Sequence, residues 1–112
     1  MSQPSLLVES SDIIREMVRR IVDRFDPEKI ILFGSHARGN ARPDSDVDLL
    51  VVMNFSGNRR RQASILDSTL IGTGLPTDLI LISPAEMTAQ KDQMGTLIHD
   101  ALPDSRLLYE RH

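Results

Sequence analysis

Asp46 and Asp48 stand one residue apart at the head of an apolar run, Val47 to Met53, and Asp78 opens a second run of similar character. Alternate residues of a strand share one face and lie roughly 6.5 Å apart along it, so Asp46 and Asp48 are expected to point the same way. Adjacent strand starts lie about 4.8 Å apart, close enough for Asp78 to join the pair. Carboxylates gathered in this way repel, and the repulsion is tolerable when divalent cations sit between them. Two metals about 3.5 to 4 Å apart are the usual clamp for the attacking and leaving oxygens of an in-line phosphoryl displacement. A ligand set made of oxygen, in a chain without cysteine, favours magnesium over zinc. The plainer reading, in which the two acids cap a strand and face water, is weakened by the third acid at Asp78.

Just upstream runs Gly34-Ser35-His36-Ala37-Arg38-Gly39, followed by a short spacer that ends in Ser45. Gly34 allows the backbone to approach a ligand closely, and Ser35 adds a hydroxyl donor. A short helical turn starting here would aim free N–H groups at phosphate. Arg38 lies one helical turn further on, where its guanidinium can return to the same place and pair with phosphate oxygens. Gly34, Ser35, Arg38 and Ser45 are therefore the candidate cradle for a triphosphate, although a Gly-Ser pair taken alone is more often a plain turn.

These residues need elements to hold them. Ile14, Met17, Val18, Ile21, Val22 and Phe25 recur at three- and four-residue intervals, which predicts an amphipathic helix, with capping chemistry in Ser10, Ser11 and Asp12 and an exit at Pro27. Lys29 to Phe33, Asp46 to Met53 and Thr77 to Ile82 read as strands. Gln62 to Ile71 carries a weaker helical stripe that ends at Gly72 and Gly74. Ser83-Pro84-Ala85-Glu86 is a capping box with proline at the first helical position, and Met87, Met94, Leu97 and Ile98 are expected to line mostly the buried face of the helix that follows. Arg106 to Tyr109 is expected as a closing edge strand.

The 112 residues suit one domain, 1–112, able to bury roughly 60 to 70% of its unfolded surface. With 40% hydrophobic and 26% charged residues, the composition is that of a water-soluble globular protein. No apolar stretch approaches the roughly 20 residues of a membrane helix, and no basic segment followed by an apolar run opens the sequence. A cytoplasmic location is the expectation. The net charge of -3 argues against a surface built to coat long nucleic acid, whereas one nucleotide needs only a few local cations.

GSHARG, a spacer and SDVDLLVV together resemble the Gly-Ser and Asp-x-Asp signature of the DNA polymerase beta-like nucleotidyltransferases, and the brevity of the chain is similar to their minimal branch, abbreviated MNT. The resemblance runs from the first helix through Asp78 to Leu107-Leu108-Tyr109-Glu110 and is strongest over residues 32 to 52. It implies an α/β (α+β) fold with a central mixed sheet flanked by helices. It also implies Gly34 and Ser35 at phosphate, Asp46 and Asp48 on magnesium, and Asp78 near the acceptor hydroxyl as a further metal-side carboxylate. The expected reaction transfers AMP from ATP to a hydroxyl, with a tyrosine of a separately encoded HEPN-type toxin as acceptor and this chain as the antitoxin. Two alternatives are a noncatalytic nucleotide-binding module that masks its partner, and transfer to a small molecule such as an aminoglycoside, for which association of several copies could complete an acceptor pocket.

His36 departs from the arginine frequent at its position in similar minimal members. As a lone histidine in a turn it is expected at the surface, without a catalytic role. Arg59-Arg60-Arg61 could attract phosphate or an acidic partner but reads more simply as a solvated face, one that opposes the helix dipole. Tyr109, the single tyrosine, is expected to anchor the edge strand, and Met87 and Met94 to fill core.

Overall fold

The computed structural model describes residues 10–112. Its elements in chain order are α1 (Ser10–Phe25), β1 (Lys29–Phe33), α2 (Gly34–Arg38), β2 (Val47–Val52), α3 (Arg59–Ser68), β3 (Thr77–Ile82), α4 (Pro84–Lys91), α5 (Leu97–Ala101), a 3-10 turn (Leu102–Asp104) and β4 (Arg106–Glu110). The sheet order is β3-β2-β1-β4. β1 is antiparallel to both β2 and β4, and β2 is parallel to β3, so the sheet is mixed, as expected.

Alternation along the strands divides the core in two. Ile30, Leu32, Val47, Leu49, Val51 and Leu81 pack beneath Met17 and Ile21 of α1 and Leu66 of α3. Ile31, Phe33, Leu50, Val52 and Ile82 face the opposite way, toward Ile98 of α5, with Met87 of α4 packed against them. Arg20 ties α1 to the end of α3 by donating to the carbonyls of Thr69 and Ile71, each at 3.0 Å.

Several boundaries differ from those expected. Ser11 and Asp12 lie inside α1, with Asp12 in its first turn, and what precedes Ser10 lies outside the described residues. α3 starts three residues earlier than Gln62, because the Asn58 side chain accepts from the Arg61 N–H and caps the helix there. The capping box at Ser83 and Glu86 forms in full, but α4 stops at Lys91. Gly95, at φ 86°, turns the chain, and Thr96 caps the separate helix α5. Met94 is consequently 84% exposed and Leu97 56% exposed, while only Ile98 and Met87 of the expected stripe reach the core. Tyr109 pairs with Ile30 on the edge strand β4, as expected of an anchor.

Candidate active site

The site begins where β1 gives way to α2. Phe33 pairs with Asp48 across the β1–β2 ladder, and Asp48 pairs in register with Asp78 across the parallel β2–β3 ladder. Gly34 follows Phe33 at φ 73°. A Cβ at Gly34 would collide with Oδ2 of Asp48, so only glycine admits both the positive φ and the carboxylate against its backbone. α2 then starts with no side chain capping its first turn, and its last turn carries His36 and Arg38.

Alternation decides which way Asp48 points. Val47, Leu49 and Val51 enter the larger core, so Asp48 belongs to the row of Leu50 and Val52, at the end of that row next to Gly34. Asp46 precedes β2 rather than forming part of it. It is exposed, as is Asp78, while Asp48 is half-buried. Burial pushes the Asp48 carboxyl above its ordinary value, and the nearby charges of Asp78 and Asp46 push it further, against a smaller pull from His36 and Arg38. The three acids and Arg38 are thus within electrostatic reach of one another.

Among the described residues, none of the three acids has an ion-pair partner. Nor do any three His, Cys, Asp or Glu side chains close into a group that could hold a metal. The donor chemistry fits a hard divalent cation, since it is all oxygen, concentrated in charge and destabilised without a counter-charge. Asp46 and Asp78 stand as exposed side chains around the half-buried Asp48 rather than as a closed cage.

Ser35 is half-buried in α2, with its carbonyl accepting from the Asn40 N–H at 3.1 Å. Ser45 is engaged in the loop that leads to β2, where its Oγ accepts from the Arg42 N–H at 2.8 Å. His36 overturns the expectation of a surface residue. It is buried, 8% exposed, and its Nε2–H donates to the Ser45 carbonyl at 3.0 Å. That bond pins the loop of residues 40–46 to α2 and fixes where Asp46 enters. Position in a turn gave no signal for this, because the partner is a backbone carbonyl nine residues away. A cavity of about 340 Å³, lined by Ile14, Val18, Leu32, His36 and Leu108, lies behind His36 on the α1 side of the sheet, away from the acids.

Residues 14–99 match the family model described as a nucleotidyltransferase domain. A Methanocaldococcus jannaschii protein named "Putative protein adenylyltransferase MJ1305" is 32% identical over 108 residues, covering 90% of this chain and 72% of that protein. "Protein adenylyltransferase MntA" of Thermococcus cleftensis is 27% identical over 93 residues, covering 83% of this chain and 94% of the relative. A crystal structure of a Sulfolobus solfataricus protein superposes with a TM-score of 0.59 at 24% identity, over 88% of this chain and 78% of that one, which supports the shared fold. The chain belongs to the nucleotidyltransferase domain family, of the polymerase beta-like type, and is an enzyme of that class.

Proposed function

We propose that this nucleotidyltransferase transfers AMP from ATP to a hydroxyl of a partner protein, with magnesium held by Asp46 and Asp48. The observation that carries the reading is the alignment of Gly34, Asp48 and Asp78 across three strands' ends, with the acids close enough to raise the Asp48 pKa and, among the described residues, without ion-pair partners. The names of the relatives supply the class of acceptor, since both are called protein adenylyltransferases.

In this reading the triphosphate lies along α2, where Gly34 permits close approach, the Ser35 hydroxyl donates and Arg38 pairs with phosphate oxygens. Ser45, on the loop held by His36, completes the phosphate side. Bound magnesium, two ions in the fully loaded site, would neutralise phosphate charge and orient the triphosphate. The acceptor oxygen forms a bond to the α phosphorus, the bond from that phosphorus to the bridging oxygen breaks, and pyrophosphate leaves. Asp78 orients the hydroxyl and takes its proton, which requires approach to about 3 Å.

The acceptor is read as a tyrosine on a HEPN-type toxin encoded separately, which makes this chain the antitoxin. With Asp46 and Asp78 exposed beside the half-buried Asp48, there is room for a macromolecular acceptor to supply the missing wall. AMP adds bulk and negative charge, which would repel phosphates from an RNase site. Co-expression with such a partner should relieve its toxicity, with one AMP found on the partner by intact mass. If the Asp46→Asn, Asp48→Asn double variant protects equally and the partner stays unmodified, the chain neutralises by masking alone.

A further inference from the structure

Of the three acids, Asp46 alone lies outside a strand. Asp48 and Asp78 belong to β2 and β3, where ladder pairing sets their direction, whereas Asp46 precedes β2 and is exposed. Its two chain neighbours, however, are tied down. The Val47 N–H donates to the Pro76 carbonyl at 2.9 Å, which joins the entry of β2 to the entry of β3. On the other side, the Ser45 carbonyl accepts from Nε2–H of His36 at 3.0 Å.

Ser45 is itself part of a closed turn. Its N–H donates to the Arg42 carbonyl at 3.0 Å and its Oγ accepts from the Arg42 N–H at 2.8 Å, with Pro43 at the position of the turn that favours proline. Residues 42–45 are therefore braced as a unit, and the bond to His36 sets how that unit hangs from α2. A carbonyl can only accept, so the ring presents Nε2–H to it whether the imidazole is neutral or charged. The ring is buried but lines the cavity of about 340 Å³, so the hydrogen bond supplies a restraint that packing on that side does not. Breaking the bond frees the turn, and the freedom passes through one peptide link to Asp46.

We infer that His36 is a positioning residue for the proposed metal site, which acts through the Ser45 carbonyl to hold Asp46 where it shares a divalent cation with Asp48. The inference rests on the reading of Asp46 and Asp48 as metal ligands. Groups that orient a ligand without touching the metal contribute roughly ten- to a hundredfold to its affinity. His36 meets neither nucleotide nor acceptor in this reading, so its loss acts first on the affinity for the cation and on transfer only through it.

The test compares wild type, His36→Phe, His36→Gln and Asp46→Asn as full chains. Phenylalanine keeps a ring of similar size and removes the donor, whereas glutamine places an N–H donor as many bonds from Cα as the histidine Nε2. Manganese, which carboxylates also bind, is the probe, and electron paramagnetic resonance reads its binding in the absence of nucleotide. His36→Phe should bind it roughly tenfold more weakly, the lower end of what such partners contribute, and His36→Gln within about threefold of wild type. In metal-free His36→Phe, amide hydrogen exchange should quicken at Val47, at the mouth of β2, and stay as in wild type at Leu49 and Val51. Equal weakening in the phenylalanine and glutamine variants overturns the role of the hydrogen bond. A His36→Phe variant that melts lower yet binds manganese as wild type does would make His36 a structural residue alone and overturns the inference. If Asp46→Asn binds manganese as tightly as wild type, the metal reading of Asp46 fails and takes this inference with it. If Asp46→Asn is impaired and His36→Phe is not, the inference fails by itself and the metal reading stands.

Discussion

The two faces of the sheet divide the work of one strand. On the α1 and α3 side, Val47, Leu49 and Val51 of β2 join a cluster of twelve buried residues, whereas the other side gathers six and gives the end of its row to Asp48. The larger cluster can supply most of the burial energy, so the smaller face can carry a charged and self-repelling group that stabilises nothing by itself. Odd-numbered positions of β2 hold the fold, and an even-numbered one, Asp48, is the one proposed to carry the chemistry. A register slip of one residue would exchange the two, so the in-register pairing with β1 and β3 is what holds the proposed site together.

Substitution at neighbouring positions separates the faces most sharply. Leu49→Ala empties a fully buried site in the larger cluster and should cost about 2 to 5 kcal/mol. Thermal unfolding should show a fall of roughly 10 °C or more, with the activity per folded molecule nearly retained. Asp48→Asn should do the reverse. AMP transfer should drop at least about a hundredfold, the scale on which losing one electrostatic stabiliser acts.

The stability of Asp48→Asn follows from the raised pKa of Asp48. A raised folded-state pKa gives a contribution present below the unfolded value and lost as pH rises through the folded one. Without divalent cation, the variant should therefore melt at or above wild type at neutral pH, and the gap should close as the buffer is acidified. Adding magnesium should raise the melting temperature of wild type and leave the variant unmoved. Full transfer by the variant, or a clear loss of stability, would break the division between faces.

Gly34 sits where the two faces meet at the strand ends. Gly34→Ala places a side chain at positive φ and drives its Cβ into the Asp48 carboxylate. The backbone strain should cost about 1 to 3 kcal/mol, and transfer should fall further than the stability loss explains because Asp48 must move. Pairing it with Asp48→Asn tests the contact directly. If the collision matters, the second substitution adds less to the activity loss than it does in wild type.

Much of the fold was legible because strand alternation and capping are local signals. The apolar rows of β1, β2 and β3, the α1 stripe and the Ser83 to Glu86 capping box each occupy a window of a few residues. The acids were legible for the same reason: Asp46, Asp48 and Asp78 mark strand starts, and the parallel register that places Asp48 beside Asp78 follows from aligning those starts. What stayed hidden depends on partners distant in sequence or on where a pattern stops. His36 is buried through the Ser45 carbonyl, a contact made only when the loop folds back. Apolar spacing carried on through Met94 and Leu97 although α4 stops at Lys91 and Gly95 turns the chain, so periodicity gave no sign that these side chains face out.

The smallest effect lies at the junction of α3 and α4, on the edge of the lesser face. Glu86 Oε1 accepts from the Ser83 N–H at 2.9 Å, the Ser83 Oγ accepts from the Glu86 N–H at 3.1 Å, and Arg59 pairs with the same carboxylate. The Ser83 bond first, and the Arg59 bond after it, hold the Glu86 carboxyl below its ordinary value of 4.5. A depressed folded-state pKa gives a contribution present above the unfolded value and lost as pH falls through the folded one. Wild type should therefore lose a small increment of stability below about pH 4.5, while Glu86→Gln, which keeps the capping geometry without the charge, should lack that increment at pH 7. The difference should stay within about 1 kcal/mol, since the group is partly exposed and water screens the pair. Urea melts of both proteins at pH 7 and at pH 3 measure it. Convergence of the two curves at the lower pH is the expected result, and an equal gap at both would assign the effect to packing rather than to charge. AMP transfer at pH 7 should be the same for both, because this corner carries α4 over the lesser core and lies outside the row that ends at Asp48.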